Sequence, residues 1–356
     1  MNFVTMQSDK KYNVILNYFN SPHLNQIYDG FAKLQKLGIC EVQYIFDKNC
    51  KGGKPLVFAE INGVKVLYDC LDGLNWRDDL THDENLDYFA QHDFNVDYYF
   101  KRSYSLQLES LVNNRFQYLP LGLNYDIYPE YMPLRFSRLK QNLLRTKLGI
   151  KWRGDKLFFK SEEFEQHPVI HLDGGILFLA RLWNPVHCCD EKLREERLRI
   201  NQTRIESIRK CRDAFGDMFL GGIQTDEYSL NHCPKELLVS NAITNRATYL
   251  RLMQSSNICI ATTGLYDSIG WKFGEYVAAS RAIVSEPLNY ELPGDFTEGK
   301  NYLSFTTSND LLNKISSLLS NRVALQEMMI ANKNYYENYL KPDNLVLNTL
   351  KKIPEI

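Results

Sequence analysis

The chain of 356 residues has no uninterrupted run of about 18 apolar residues, the least that crosses a bilayer as a helix, so no transmembrane helix is expected. Its first stretch, Met1 to Lys11, lacks the apolar core of a secretory signal, which points to the cytoplasm. An excess of charge is missing too: 42 Lys and Arg against 43 Asp and Glu give a net charge of −1. A general nucleic-acid binder would be clearly basic, so nucleic acid is not an expected partner. No CxxC pair occurs among the eight cysteines, at 40, 50, 70, 188, 189, 211, 233 and 259, and they read as free thiols. Cys188 and Cys189 beside His187 make a poor zinc site, because adjacent cysteines rarely serve one tetrahedral ion. No Asp-x-Asp followed by a second ligand is seen, so no metal is expected. The absence of G-x-G-x-x-G after any expected strand disfavours a dehydrogenase. The sequon at Asn201 means nothing without secretion.

What the chain does have is length for two cores and many aromatics, with 22 Tyr and 19 Phe. Tyr12 to Leu16 reads as a strand, followed by the turn Asn20-Ser-Pro-His23. An amphipathic helix is expected from Leu24 to Leu37, closed by Gly38. Strands follow at Val42–Phe46, Val96–Phe100 and Tyr118–Gly122, with a helix at Glu84–Gln91. Ile61 to Tyr68 reads as a hairpin arm with a type I′ turn at Asn62-Gly63. Strands alternating with helices predict an α/β domain with a largely parallel sheet, assigned to residues 1–150. The basic stretch Arg135 to Lys151 breaks the pattern, and a hinge is expected over 151–172. A second α/β domain spans 173–335. Its charged helix, Glu191 to Phe215, should bury Leu198, Ile205, Ile208 and Phe215 and be capped by Gly216. The Arg and Glu residues of that helix read as a solvated face, with nothing to bring Arg204 or Arg209 into a cleft. Helices at Leu311–Leu319, Ala324–Leu340 and Leu345–Lys352 close the chain.

The most informative segment runs from Asn257 to Glu286. Asn257 to Ala261 and Ala282 to Ser285 read as buried parallel strands, and Trp271 to Ala279 as the helix between them. The connecting loop carries Gly264, with Asp267 or Ser268 as the expected N-cap. Lys272 and Glu275 fall on one helical face. A helix N-terminus attracts phosphate, Lys272 would add charge, and Glu275 could accept both hydroxyls of a ribose. Together they describe a nucleotide site. The plainer alternative is a solvated Lys272–Glu275 pair worth a few tenths of a kcal/mol.

Phe273-Gly-Glu-Tyr-Val-Ala-Ala-Ser-Arg-Ala-Ile-Val284 resembles the donor-site segment of bacterial, nucleotide-sugar-dependent GT-B glycosyltransferases, with a C-terminal half like that of families one and four. Gly174 to Trp183 resembles the strand that opens their nucleotide-binding domain. The resemblance implies two Rossmann-like domains facing a central cleft, with residues 336–356 crossing back to the first domain. It puts the ribose on Glu275 and the diphosphate on Arg181. Its second acidic position, eight residues before Glu275, is Asp267 here. The usual small-Gly-Lys-Pro turn is replaced by Ala279-Ser280-Arg281-Ala282. The expected donor site is thus Arg181, Gly264, Asp267, Ser268, Gly270, Lys272 and Glu275. Arg181 could equally be a loop-anchoring donor.

In open α/β sheets ligands bind at the carboxyl ends of strands, which offers three places in the first domain. Asp69 and Asp72 follow one strand, Lys101 and Arg102 another, and His23 the first. An inverting transferase needs a general base, with Asp72, Asp69 and His23 as candidates in that order. A retaining one would lean on Lys101 and Arg102. Each has a structural alternative: turn composition for the acids, a packed histidine, and solvated cations. The expected function is a metal-independent, hexosyltransferase-like enzyme without a cofactor. It would use a nucleotide diphosphate sugar as donor and a glycan or lipid-linked acceptor, in surface polysaccharide biosynthesis. A peripheral contact with the inner face of the membrane fits such an acceptor. An epimerase or phosphorylase on the same fold and a catalytically silent glycan-binding protein are the alternatives.

Overall fold

Two six-stranded sheets, built from separate halves of the chain, place the carboxyl ends of their strands around one cavity. The computed structural model describes residues 11–46, 53–129, 159–188 and 190–354. Met1 to Lys10, Cys50, Cys189, the stretch Arg135 to Lys151 and the hinge residues 151–158 lie outside them.

The first half runs β1 (Tyr12–Tyr18), α1 (Asn25–Lys36), β2 (Cys40–Phe46), β3 (Leu56–Ile61), β4 (Val64–Asp69), α2 (His82–Gln91), β5 (Tyr98–Lys101), α3 (Leu106–Leu111) and β6 (Gln117–Pro120). Its strand order is β2-β1-β3-β4-β5-β6. Only β3 runs antiparallel to its neighbours, and the sequence reading had missed it. Asn62 and Gly63 both take positive φ, 50° and 84°, as a type I′ turn between β3 and β4 requires. Thr81 caps α2 in a box with Glu84, two orphan donors being satisfied reciprocally.

The second half runs β7 (Ile176–Ala180), α4 (Glu191–Phe215), β8 (Phe219–Gln224), α5 (Glu227–His232), β9 (Leu238–Val239), α6 (Asn241–Thr244), α7 (Arg246–Ser255), β10 (Ile258–Ala261), α8 (Trp271–Ala278), β11 (Ala282–Ser285), β12 (Leu303–Ser304), α9 (Ser308–Ser320), α10 (Arg322–Tyr335) and α11 (Pro342–Leu350). All its strands are parallel, in the order β12-β11-β10-β7-β8-β9. Every residue of β7, β10 and β11 is buried, which is why they read as continuous apolar runs.

Two details of α4 and α8 differ from the sequence reading. Leu198 of α4 is exposed, whereas Ile208 is buried and Ile205 and Phe215 pack half-buried against the core as expected; Ile200, Asn201, Arg204, Ser207 and Cys211 complete the buried stripe. Gly270, not Asp267 or Ser268, is the N-cap of α8, and no side chain caps it.

The halves are tied in two ways. Leu123, Tyr125 and Ile127 leave the first sheet and pack in the core of the second. Helix α11 returns to pack Leu345, Val346 and Leu350 into the core of the first. That approach is close enough that a Cβ on Gly30 of α1 would overlap the Pro342 carbonyl. Likewise, a Cβ on Gly274 of α8 would sit 2.6 Å from the Asn124 carbonyl oxygen, so only glycine lets α8 lie against this crossing segment. Residues 166–171 are bound to the second half. Ser280 donates to the Gln166 carbonyl at 2.8 Å, and the buried Arg281 donates to those of His167, Ser256 and Ala279. Asn257 donates to the His171 carbonyl at 2.9 Å.

Candidate active site

A cavity of about 380 Å³ lies between the sheets. From the first half it takes His23, Asp72 and Arg102; from the second come Arg181, Arg204, Arg246, Gly264, Ser268, Gly270, Lys272 and Glu275. Five of its lining residues are Arg or Lys and two are carboxylates, a surplus that favours an anionic ligand. Four buried polar atoms of its walls have no partner: His23 Nδ1, Trp183 Nε1, Trp271 Nε1 and Glu275 Oε2. Orphaned buried polar groups are rare in folded proteins, and a ligand is one explanation for them.

The wall on the second half is built by the loop from β10 to α8. With no side chain at its cap, α8 leaves its first N–H groups to a ligand. Glu275, one turn further on, is only 1 % exposed. Its Oε1 accepts from Arg246 Nη2 at 2.7 Å, and its Oε2 is the unpaired oxygen. The Lys272–Glu275 ion pair of the plainer reading does not form. Lys272 Nζ donates instead to the Leu179 carbonyl and lies 5.2 Å from the centre of the Tyr249 ring. Burial lowers the Lys272 pKa to about 8, against the opposing pull of Glu275.

Arg204 ties the strand ends together. It donates to Thr262 Oγ1 at 2.9 Å, to the Arg181 carbonyl at 2.7 Å and to the Thr263 carbonyl at 3.2 Å. Burial lowers its pKa to about 10, which leaves it charged at neutral pH. Arg209, by contrast, is exposed. The Arg181 guanidinium is stacked over Trp183 at 4.0 Å.

On the opposite wall, His23 follows β1 with its ring 4.6 Å from that of Trp271. Burial lowers its pKa, Asp72 opposing and Arg102 assisting, so the imidazole is neutral at pH 7 and able to accept a proton. Asp72 is held by Arg102 at 2.5 Å. Arg102 also donates to the Ile269 carbonyl, so one buried guanidinium joins the two halves.

Three expected site residues lie elsewhere. Asp69 and Lys101 do not line this cavity. They pair at 3.1 Å, and both are fully buried. Asp69 also accepts from the Tyr99 hydroxyl at 2.6 Å and Trp76 Nε1 at 3.0 Å, while Lys101 donates to the Gly73 carbonyl. The parallel β4–β5 register sets these two residues side by side, and a fully bonded pair with no open face is structural. Asp267 turns away toward α4, where it pairs with Arg199 at 2.9 Å.

Arg246 and Trp271 were missed. Arg246 sits at the first position of α7, behind the Asn245 cap. A cation there opposes the helix dipole, and that anomaly was the available signal. Among the described residues no group of His, Cys, Asp or Glu is placed to hold a metal. None of the described helices is long and apolar enough to cross a membrane.

Two α/β units with a cavity between them are the GT-B arrangement. The chain is similar to solved structures of that class. One is HepE of Anabaena, solved with UDP-glucose, at 11 % identity over 96 % of this chain and 100 % of that one, TM-score 0.39. Another is the C-terminal domain of LpcC, a glycosyl transferase group 1 family protein of Francisella tularensis. It shares 12 % identity over 51 % of this chain and 97 % of that domain, TM-score 0.37. TarM shares 12 % identity over 78 % of this chain and 47 % of its own, TM-score 0.43, so this chain spans about half of TarM. No protein-family model matches the sequence, and no curated protein matches it.

Proposed function

We propose that the chain is a glycosyltransferase that moves a sugar from a nucleoside diphosphate sugar to a hydroxyl of a glycan or lipid-linked acceptor, in polysaccharide biosynthesis. The observation that carries this is the unpaired, buried Oε2 of Glu275 in a cavity with surplus positive charge and an open helix N-terminus. A ribose diol donates to that oxygen. Lys272, Arg181 and the first N–H groups of α8 hold the diphosphate and stabilise it as it leaves, so no divalent ion is needed.

His23 is the general base that takes the acceptor proton. Both carboxylates of the cavity are ion-paired, Asp72 with Arg102 and Glu275 with Arg246. This favours direct displacement with inversion over a carboxylate nucleophile. Residues 1–150 then present the general base to the acceptor hydroxyl, 173–335 hold the donor, and 336–356 fasten the two.

Incubation with a panel of nucleotide sugars, with released nucleoside diphosphate measured by chromatography, tests the proposal. Release with at least one donor is expected. Nucleotide binding with no release would mark a binding protein, and isomerised sugar on intact nucleotide would mark an epimerase.

A further inference from the structure

A second cavity, of about 700 Å³, opens beside the first. Its walls come from both halves: the segment from Leu74 to Asn85, the first turns of α4, and Tyr266 with Asp267. Both cavities lie in the range of ligand sites, roughly 300–1,000 Å³. They share two loops. Asp72 faces the first cavity and Leu74 the second; Leu265 and Ser268 face the first, Tyr266 and Asp267 the second. The partition is a contact between Gly73 and Tyr266, where a Cβ on Gly73 would lie 2.7 Å from the Tyr266 carbonyl oxygen.

That partition is built from left-handed backbone. Gly73, Tyr266 and Asp267 have φ of 60°, 59° and 53°, a left-handed conformation that is unfavourable for a non-glycine residue. The loop is pinned by Glu196, whose Oε1 accepts from the Asp267 N–H at 2.8 Å, and by the Tyr290 hydroxyl on the Tyr266 carbonyl at 2.8 Å. Backbone held in such regions clusters at ligand sites.

The two cavities differ in charge. The first has five cations to two carboxylates; the second has five carboxylates to three cations. Two buried atoms of its walls have no partner, Glu196 Oε2 and Arg197 Nε. A hydroxyl both donates and accepts, so it satisfies either atom, whereas a phosphate satisfies only the arginine.

From this we infer that the second cavity binds a neutral, hydroxyl-rich saccharide and not a polyanion, as the part of the acceptor that lies behind the hydroxyl presented to His23. The inference rests on the glycosyltransferase reading for the word acceptor, but the binding site stands or falls by itself.

The test uses the full chain on immobilised maltotriose, cellotriose, chitotriose and poly(glycerol phosphate), beside calorimetry with UDP. At least one neutral trisaccharide should bind and the polyphosphate should not. Asn75→Trp, which adds bulk at a half-buried position of the wall, should cut saccharide binding at least tenfold with UDP affinity unchanged. Glu196→Gln should cut it severalfold. Binding of the polyphosphate alone, of no saccharide, or of saccharide unaffected by both variants would overturn the inference. Loss of UDP binding with saccharide binding intact would instead remove the donor reading and leave this site in place.

Discussion

Lys101 Nζ lies 3.1 Å from Asp69 Oδ1, and neither side chain is exposed to solvent. Breaking a buried pair by removing one partner costs about 3–5 kcal/mol, because the other charge is left unpaired. Lys101→Met should therefore lower the melting temperature markedly while the folded fraction binds UDP with unchanged affinity. Thermal melts beside calorimetry check this. A catalytic role would show the reverse, with stability intact and turnover lost.

His23→Asn should lower kcat by about a hundredfold or more, the usual contribution of general base catalysis, with UDP affinity unchanged. The base must be neutral, and burial lowers its pKa. Turnover should hold through pH 7 and fall as acid protonates the ring, with a midpoint below the ordinary histidine value of about 6.5. The pH–rate profile reads this directly. A profile with the midpoint of an exposed histidine, unaltered in the variant, would assign the base elsewhere.

Lys272 loses its proton near pH 8. Above that value the site has one positive charge fewer for the diphosphate, so UDP affinity should weaken between pH 7 and pH 9. Lys272→Arg should flatten the dependence, since a guanidinium stays charged there. Isothermal titration at stepped pH distinguishes the two curves.

Turnover should survive excess EDTA, since cations of the protein balance the diphosphate. Activity abolished by chelation and restored by Mn²⁺ or Mg²⁺ would show that Lys272, Arg181 and the α8 N-terminus are not enough.

Features written locally were legible from the sequence. Helix α4 runs from Glu191 to Phe215 before its closing Gly216, as expected, and β11 has the bounds of its apolar run. Lys272, Glu275 and His23, which line the cavity, were legible as candidates because each follows or opens an element whose end is marked in the chain, and Arg181, which lines it too, was legible through the family resemblance. Features that depend on distant pairing were not legible. Asp69 and Lys101 looked like site residues at strand ends, until the β4–β5 register set them against each other. Strand β3 was missed because its place depends on the two strands it pairs with, β1 and β4. The role of Arg246 exists only through Glu275, on a different helix. Arg204 sits in a run of charges that looks solvated until the strand ends close over it.

The account depends most on the free oxygen of Glu275. Calorimetric titration of UDP into the wild type and Glu275→Gln, with thermal melts of both, tests it. The amide keeps the shape and one acceptor oxygen but loses the charge. A hydrogen bond to a charged group is worth about 1.5–3 kcal/mol, so affinity should fall roughly ten- to hundredfold with the variant still folded. UDP bound equally well by a well-folded Glu275→Gln protein would contradict the donor site described here.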